Sequence, residues 1–340
     1  MTPDLSVEVA GLRLKNPVMA GSGEATMTGE AIAAALEAGA GAVVAKSANE
    51  SEAAKRQLRS AEYILLDEQW RPTEAPAGAK AVSMLNRSGL VDEPFEHWVE
   101  VLVASDRLAR QQDAYVVASL IVGDPNEAVR MAKQIEDAGI RWIELNIGAP
   151  HAEEAEPGAI TAAREADRAG ELVRPIREAV SIPLTVKVAG EGDPLGAAEA
   201  AFAAGADAVC LTGRFLAFLP DLESRRPVLG TFAAIGGGWA LPLTLRWVAC
   251  SRQRFGPERS LIGTNGARSG LDVARFLLAG ARAVQMTTAV ITDGPAVLTR
   301  AIEELSNYLQ RQGVPARELV GQATDAVVSY AEVHATEGGA

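Results

Sequence analysis

Eight segments patterned as strands, each followed by one patterned as a helix, predict an α/β chain closed as a (β/α)8 barrel of the TIM type. Two further observations point the same way. Ala-Gly-Ala recurs at residues 38–40, 204–206 and 279–281, with Asp137-Ala-Gly139 beside them. Each closes a helical segment just before a strand, as a C-terminal cap should. Polar residues also stand at the ends of the strand segments: Ser22, Lys46, Asn146, Lys187, Thr212 and Thr264. A barrel would gather all of them on one face. The alternative is an open doubly wound sheet, but no Gly-x-Gly-x-x-Gly follows the first strand segment.

The elements follow in order. Leu5, Val7 and Val9 alternate, as do Leu12 and Leu14 beyond Gly11, which predicts an N-terminal hairpin. Strand segments run over 18–23, 41–47, 115–122, 142–148, 183–189, 208–213, 260–265 and 283–289. Helical periodicity covers 29–38, 94–111, 125–138, 161–180, 194–204, 242–254, 270–279 and 295–312. Two long connections break the rhythm. Residues 48–92 read as an irregular polar insertion and 214–241 as a second long loop; loops of that length are usually functional. The barrel is assigned to residues 1–312. Residues 313–340 are assigned to a C-terminal helical tail, with one amphipathic stretch over 323–333, packed on the barrel or on a neighbour.

Composition narrows the function. The chain has 340 residues, of which 48% are hydrophobic, so it can bury a large core. A net charge of −12 argues against a nucleic-acid surface, which needs clustered Lys and Arg. The longest early apolar run, 31–45, is interrupted by Glu37, Gly39 and Gly41 and is too short to span a bilayer. Nothing before it reads as a signal peptide, so a cytoplasmic protein is expected. Cys210, Cys250, His97, His151 and His334 are too scattered for a zinc or iron–sulfur site.

Three constellations carry chemistry. Trp142 to Ile147 alternates as a buried strand with Glu144, Asn146 and Gly148 on one face, and Pro150-His151 lies beyond its end. Lys187 shares a face with Thr185 and needs an anion inside a barrel. A flavin edge that becomes negative on reduction is one such partner, and a salt bridge with Glu144 is another. Gly263-Thr-Asn-Gly266 and Thr287-Thr288 end the last two strands, where glycine and hydroxyl turns offer N–H groups to a phosphate. Such glycines can also serve only to turn the chain.

These segments resemble the dihydroorotate dehydrogenase family of FMN enzymes and the related FMN domain of dihydropyrimidine dehydrogenases. The resemblance rests on Lys15-Asn-Pro-Val-Met19, Ala45-Lys-Ser47, Glu144-Leu-Asn146, Val186-Lys187, Gly205-Ala-Asp207, Asp221-Leu-Glu-Ser-Arg-Arg-Pro-Val228 and Gly280-Ala with Val284-Gln285. The Asp221–Val228 stretch resembles the soluble class whose members pair with an FAD and iron–sulfur subunit. The resemblance implies FMN as cofactor, a homodimer and a partner subunit for electron transfer. It implies that Gly21, Ser22 and Gly23 line the flavin ring, that Lys46 and Ser47 contact its edge and ribityl chain, and that Lys187 faces its N1 side. It further implies that Asn146 reaches flavin and substrate, that Gly236 and Gly237 pass near the cofactor, and that Gly263, Asn265, Gly266, Thr287 and Thr288 hold the phosphate. Asn86 matches an asparagine that bonds a substrate pyrimidine.

The departures from the family pattern decide the expected reaction. The family places a catalytic Cys or Ser where this chain has Ala149, and an alanine methyl cannot take a proton. Removing a general base costs about 10²–10⁴-fold in rate. His151 stands where the final asparagine of the segment is usual, and its imidazole suits acid/base work or donation to a substrate carbonyl. Thr212, followed by Gly213, replaces a substrate-binding asparagine. Asn265 and Thr287 replace customary glycines of the phosphate site. Arg214 could clamp a carboxylate bidentately or lie on the surface, and Cys210 reads as core. The expectation is an FMN-dependent oxidoreductase acting on CH–CH bonds, with His151, Lys46 and Asn146 as catalytic residues. Its substrate would be a small planar cyclic amide or carboxylate other than dihydroorotate, bound by Asn86, Asn146, His151, Thr212 and Arg214. The alternatives are a dihydroorotate or dihydropyrimidine dehydrogenase with a displaced base, a redox-inactive flavin protein, and a non-flavin barrel lyase.

Overall fold

The computed structural model describes residues 3–49, 55, 62–73, 83–87, 89–121, 124–147, 166–329 and 332. The hairpin forms as its alternation requires: β1 (Val7–Val9) pairs antiparallel with β2 (Leu12–Leu14). Ala10 and Gly11 turn it, both at positive φ (52° and 75°), the conformation that matches strand twist in a two-residue loop. The Ala10 N–H donates to Ser260 Oγ at 3.1 Å, tying the hairpin to the start of a barrel strand.

Eight parallel strands then close a barrel. In chain order they are β3 (Val18–Ala20), β4 (Ala42–Val44), β8 (Tyr115–Ile121), β9 (Ile143–Asn146), β10 (Leu184–Lys187), β11 (Ala208–Leu211), β14 (Ser260–Thr264) and β15 (Ala283–Met286), and β15 pairs back onto β3. Intervening helices α1 (Gly29–Glu37), α2 (Phe95–Gln111), α3 (Pro125–Asp137), α4 (Ala166–Ala179), α5 (Pro194–Ala203), α6 (Leu241–Phe255) and α7 (Gly270–Ala279) cover the outside. Local chemistry sets their ends. Thr28 accepts the Ala31 N–H, Ser269 accepts the Asp272 N–H, and Asp124 and Asp193 cap helices that open on proline. Gly280 ends α7 left-handed at φ 114° and donates to Leu277 O.

The two long connections depart from the expectation of irregular loops. Within them lie β5 (Glu62–Leu66), β6 (Pro72–Thr73), β7 (Ser83–Arg87), β12 (Phe215–Ala217) and β13 (Ala233–Gly237). These make one antiparallel sheet in the order β12-β13-β7-β5-β6, with Leu66, Leu85, Leu229, Ala233 and Ile235 as its own small core. Its central pair, β7 with β13, joins segments from different βα units, so no local pattern announces it. The last barrel unit differs as well. Strand β15 stops at Met286, and Thr288 already begins a short helix, α8 (Thr288–Asp293), before α9 (Ala296–Gln312).

The tail packs across the hairpin side of the barrel as far as α10 (Gln322–Asp325). Ala316 N–H donates to Asp4 O, Gly321 N–H to Leu277 O, and Thr324 Oγ1 to Ala279 O. Helix α10 covers only the start of the amphipathic stretch. No described helix is long and apolar enough to cross a membrane.

Helix α7 meets α9 so closely at Gly270 that an added Cβ would lie 2.2 Å from Ala301 O and 2.5 Å from Leu305 N. Backbone cannot swing away as a side chain can. Gly270→Ala should therefore cost about 1–3 kcal/mol of stability, read as a lowered midpoint in urea; an unchanged midpoint would show that the two helices separate freely.

Candidate active site

Three polar clusters occupy the C-terminal ends of the barrel strands. In the first, Lys187 at the end of β10 points inward beside Asn146 of β9, its register partner. Its ammonium donates to Gln285 Oε1 at 2.9 Å and lies 3.7 Å from Glu144 Oε1. The Gln285 amide donates in turn to Glu144 Oε2. Beneath it, Trp142 Nε1 donates to Thr185 Oγ1 at 2.8 Å. Both readings of Lys187 can therefore hold together, since the Glu144 bridge is present and the ammonium still borders the barrel mouth. Cys210 shares this layer with Lys187. Burial pushes its thiol far above the ordinary range, against the pull of Lys187, so it is a neutral core group and no base.

The second cluster joins the ends of β3, β4 and β8. Lys46 is buried and donates to Glu24 Oε1 at 2.9 Å. Burial pushes its ammonium below the ordinary range; Glu24 opposes that shift, while Arg214 and Lys187 add to it. For the Glu24 carboxyl, burial acts upward but is outweighed by Lys46 and Arg214, and the net direction is down. Lys46 and Glu24 thus form a salt bridge whose side chains are 3% and 16% exposed. Alongside runs a hydroxyl chain, Ser22 Oγ to Ser47 Oγ at 3.3 Å and Ser47 Oγ to Ser119 Oγ at 2.8 Å.

The third cluster lies where the second sheet meets the mouth. Arg214, at the root of β12, donates to Asn86 Oδ1 on β7. Asn265 Nδ2 donates to Gly213 O at 3.2 Å. Gly236 of β13 lies against both: a Cβ there would sit 3.0 Å from Asn265 Oδ1, 3.5 Å from Arg214 Cγ and 3.6 Å from Thr288 Oγ1. Asn265 takes φ 68°, which asparagine tolerates. Gly266 takes φ 113°, and a Cβ on it would lie 2.6 Å from the Leu241 backbone, so glycine is required. Thr287, where the family pattern has glycine, is accommodated by its neighbours. Its Oγ1 occupies the place of a Cβ on Gly21, 2.1 Å away, and its Cγ2 that of a Cβ on Gly23, 2.6 Å away. The glycines at 21 and 23 make room for the threonine.

Most of the expected site residues stand at the C-terminal ends of barrel strands (Gly21, Ser22, Gly23, Lys46, Ser47, Asn146, Lys187, Thr212, Arg214, Asn265, Gly266, Thr287 and Thr288) or on the paired strands β7 and β13 (Asn86, Gly236 and Gly237). Gly263 differs. A Cβ there would strike the Phe276 ring at 2.3 Å, on the side of helix α7, so its missing side chain serves packing. His151 and Ala149 lie outside the described residues. Gln285 enters the sequence reading only as part of the family resemblance; Glu24 and Ser119 do not enter it, nor does Arg268, whose Nη2 lies 3.9 Å from Asp293 Oδ2 and whose Cδ faces Gly238. Glu24 follows Gly-Ser-Gly directly, and a carboxylate there, one strand from Lys46, is the signal that could have found it.

The family model for dihydroorotate dehydrogenase matches residues 4–309. A Desulforudis audaxviator protein named dihydroorotate dehydrogenase B (NAD(+)), catalytic subunit, is 34% identical over 94% of this chain and 97% of its own. Proteins of the same name are 27% identical in Thermoplasma acidophilum, over 90% of this chain and 94% of theirs, and 26% identical in Methanocaldococcus jannaschii, over 94% and 98%. The chain belongs to the dihydroorotate dehydrogenase family, whose members are oxidoreductases acting on CH–CH bonds.

Removing the cation of the first cluster should expose its cost. Lys187→Met leaves Glu144, whose side chain is 1% exposed, without a cation, and should destabilise the fold by about 3–5 kcal/mol. The double variant Lys187→Met, Glu144→Gln should regain part of that loss in urea unfolding; equal losses would mean the pair is not coupled.

Proposed function

We propose that this member of the dihydroorotate dehydrogenase family is an FMN-dependent oxidoreductase acting on a small planar substrate, a cyclic amide or carboxylate other than dihydroorotate. The observation that carries the reading is Lys187, a cation fixed by Gln285 and Glu144 at the mouth and next to Asn146. A cation there stabilises an electron-rich ring edge placed against it. The residues present also fit the cofactor. Thr212 Oγ1 is buried without a hydrogen-bond partner among the described residues, at a strand end that faces the mouth. The close approach of Gly236 to Asn265 and Thr288 brings a strand, a turn and a helix start to one place suited to a phosphate.

FMN, when bound, would supply hydride transfer. In this reading Gly21, Ser22 and Gly23 line the ring, Lys46 and Ser47 hold its edge, and Asn265, Gly266, Thr287, Thr288 and the backbone of Gly263 serve the phosphate. Asn86, Asn146, Thr212 and Arg214 face the substrate. His151 takes the acid/base role, because Ala149 cannot. The relatives' names support a separate electron-transfer subunit; a homodimer in the cytoplasm is part of the proposal through the family resemblance.

A second reading is favoured by the same names: dihydroorotate itself is oxidised, with a base supplied from another loop. Colour and anaerobic reduction separate the two. The purified protein should be yellow with a flavin spectrum, and dihydroorotate should leave it unbleached while another cyclic amide or carboxylate bleaches it. Rapid bleaching by dihydroorotate overturns the first reading and establishes the second. With the bleaching substrate in hand, His151→Asn should slow flavin reduction about 10²-fold or more without releasing flavin; an unchanged rate removes His151 from the mechanism.

A further inference from the structure

Helices α1 and α2 pack side by side on the outside of the barrel, and among the described residues a cavity of about 530 Å³ lies between them. Small side chains leave that space open. The helices meet at Gly29 and Val101, where an added Cβ would lie 3.5 Å from Val101 Cγ1, in ordinary contact. Ala33 of α1 and Ala104 of α2 also line the cavity and reach too short a distance to close it. Its size is that of a pocket for a small molecule.

The deciding atom is the Ser105 hydroxyl. Ser105 lines the cavity and is 6% exposed, and its Oγ makes no hydrogen bond among the described residues. A hydroxyl inside a helix can be returned to the carbonyl four residues back. Thr244 in α6 does this with Ala240 O at 3.3 Å. Ser105 does not, and a buried hydroxyl left unpaired is costly. Two turns earlier on the same face of α2, Trp98 also lines the cavity; it is 1% exposed and its Nε1 has no partner among the described residues. This face therefore carries two polar groups that the barrel wall does not satisfy.

The rim narrows the ligand further. Glu93 Oε2 lies 2.6 Å from His97 Nδ1. Glu30 sits beside its own N–H and the Thr28 hydroxyl, which hold its carboxyl below the ordinary range. Both carboxylates are thus engaged locally and call for no further cation, while together they repel an anion.

We propose that the groove between α1 and α2 is a second binding site, outside the barrel and independent of the mouth, for a small neutral molecule with an apolar ring or branched body and one hydroxyl or carbonyl oxygen. The body fills the space beside Gly29, Ala33 and Ala104. The oxygen pairs with Ser105 Oγ, which can donate or accept.

The test is calorimetric titration of the purified protein with 1-naphthol, its anionic analogue 1-naphthoate, and 1-methylnaphthalene, which has the shape without the oxygen. 1-Naphthol should bind once per chain, about three- to tenfold tighter than 1-methylnaphthalene, the worth of one hydrogen bond, and tighter than 1-naphthoate. Ser105→Ala should bring 1-naphthol down to the affinity of 1-methylnaphthalene. It should leave the urea midpoint of the free protein unchanged or raised, because the hydroxyl has no partner to lose. Ala104→Phe, at an exposed position of α2, should fill the groove and abolish saturable binding of both neutral probes. Binding of 1-naphthol that survives Ala104→Phe lies elsewhere and overturns the proposal. So does an unchanged affinity in Ser105→Ala, a preference for 1-naphthoate, or no saturable binding of 1-naphthol at all. A lowered midpoint in Ser105→Ala would show a hydroxyl already satisfied, and overturns it too.

Discussion

An ammonium inside a closed barrel has to be given an anion before anything else can be arranged, and the Lys187–Gln285–Glu144 network meets that requirement. Glu144 lies on β9 and Lys187 on the adjacent β10, while Gln285 comes from β15, three strands further round, so the network also reaches across the lumen. Such a crossing works only if the barrel is closed and the strand register is fixed, because a slip of one residue turns each side chain to the other face. The alternation of Val186, Leu184 and Leu145 outward with Lys187, Thr185 and Glu144 inward is therefore as much a consequence of the site as of the core.

The barrel itself was legible in the sequence because its information is local. Strand runs, helical periodicity and caps such as Thr28, Asp124 and Gly280 each lie within a dozen residues of what they specify. The second sheet was not, since β7 finds β13 far along the chain and its strands are too short to show a period. The site divides in the same way. Strand-end residues such as Lys46 and Lys187 could be read from position, while Arg214–Asn86 and Lys46–Glu24 depend on which loops meet in space. Gly263 carries a packing reason that its turn-rich motif does not show, since a Cβ there would meet the Phe276 ring.

Departures from the family pattern look less arbitrary once side chains are paired. Thr287 in place of a glycine would crowd the mouth if Gly21 and Gly23 carried side chains; they do not, and its methyl and hydroxyl fill that volume. The hydroxyl remains near a strand end that elsewhere would offer bare backbone. One substitution thus exchanges a cavity wall of main chain for one of side chain at little steric cost.

Arg214 and Glu24 invite the same reasoning in terms of charge. An arginine beside Lys46 raises the local positive charge, and Glu24 offsets one unit of it through its bond to Lys46. Had the carboxylate served only to neutralise, an ion pair directly to Arg214 would do so more simply. Instead Glu24 holds the lysine and the arginine holds an amide, so among the described residues the cation nearest the second sheet has no carboxylate within ion-pair distance.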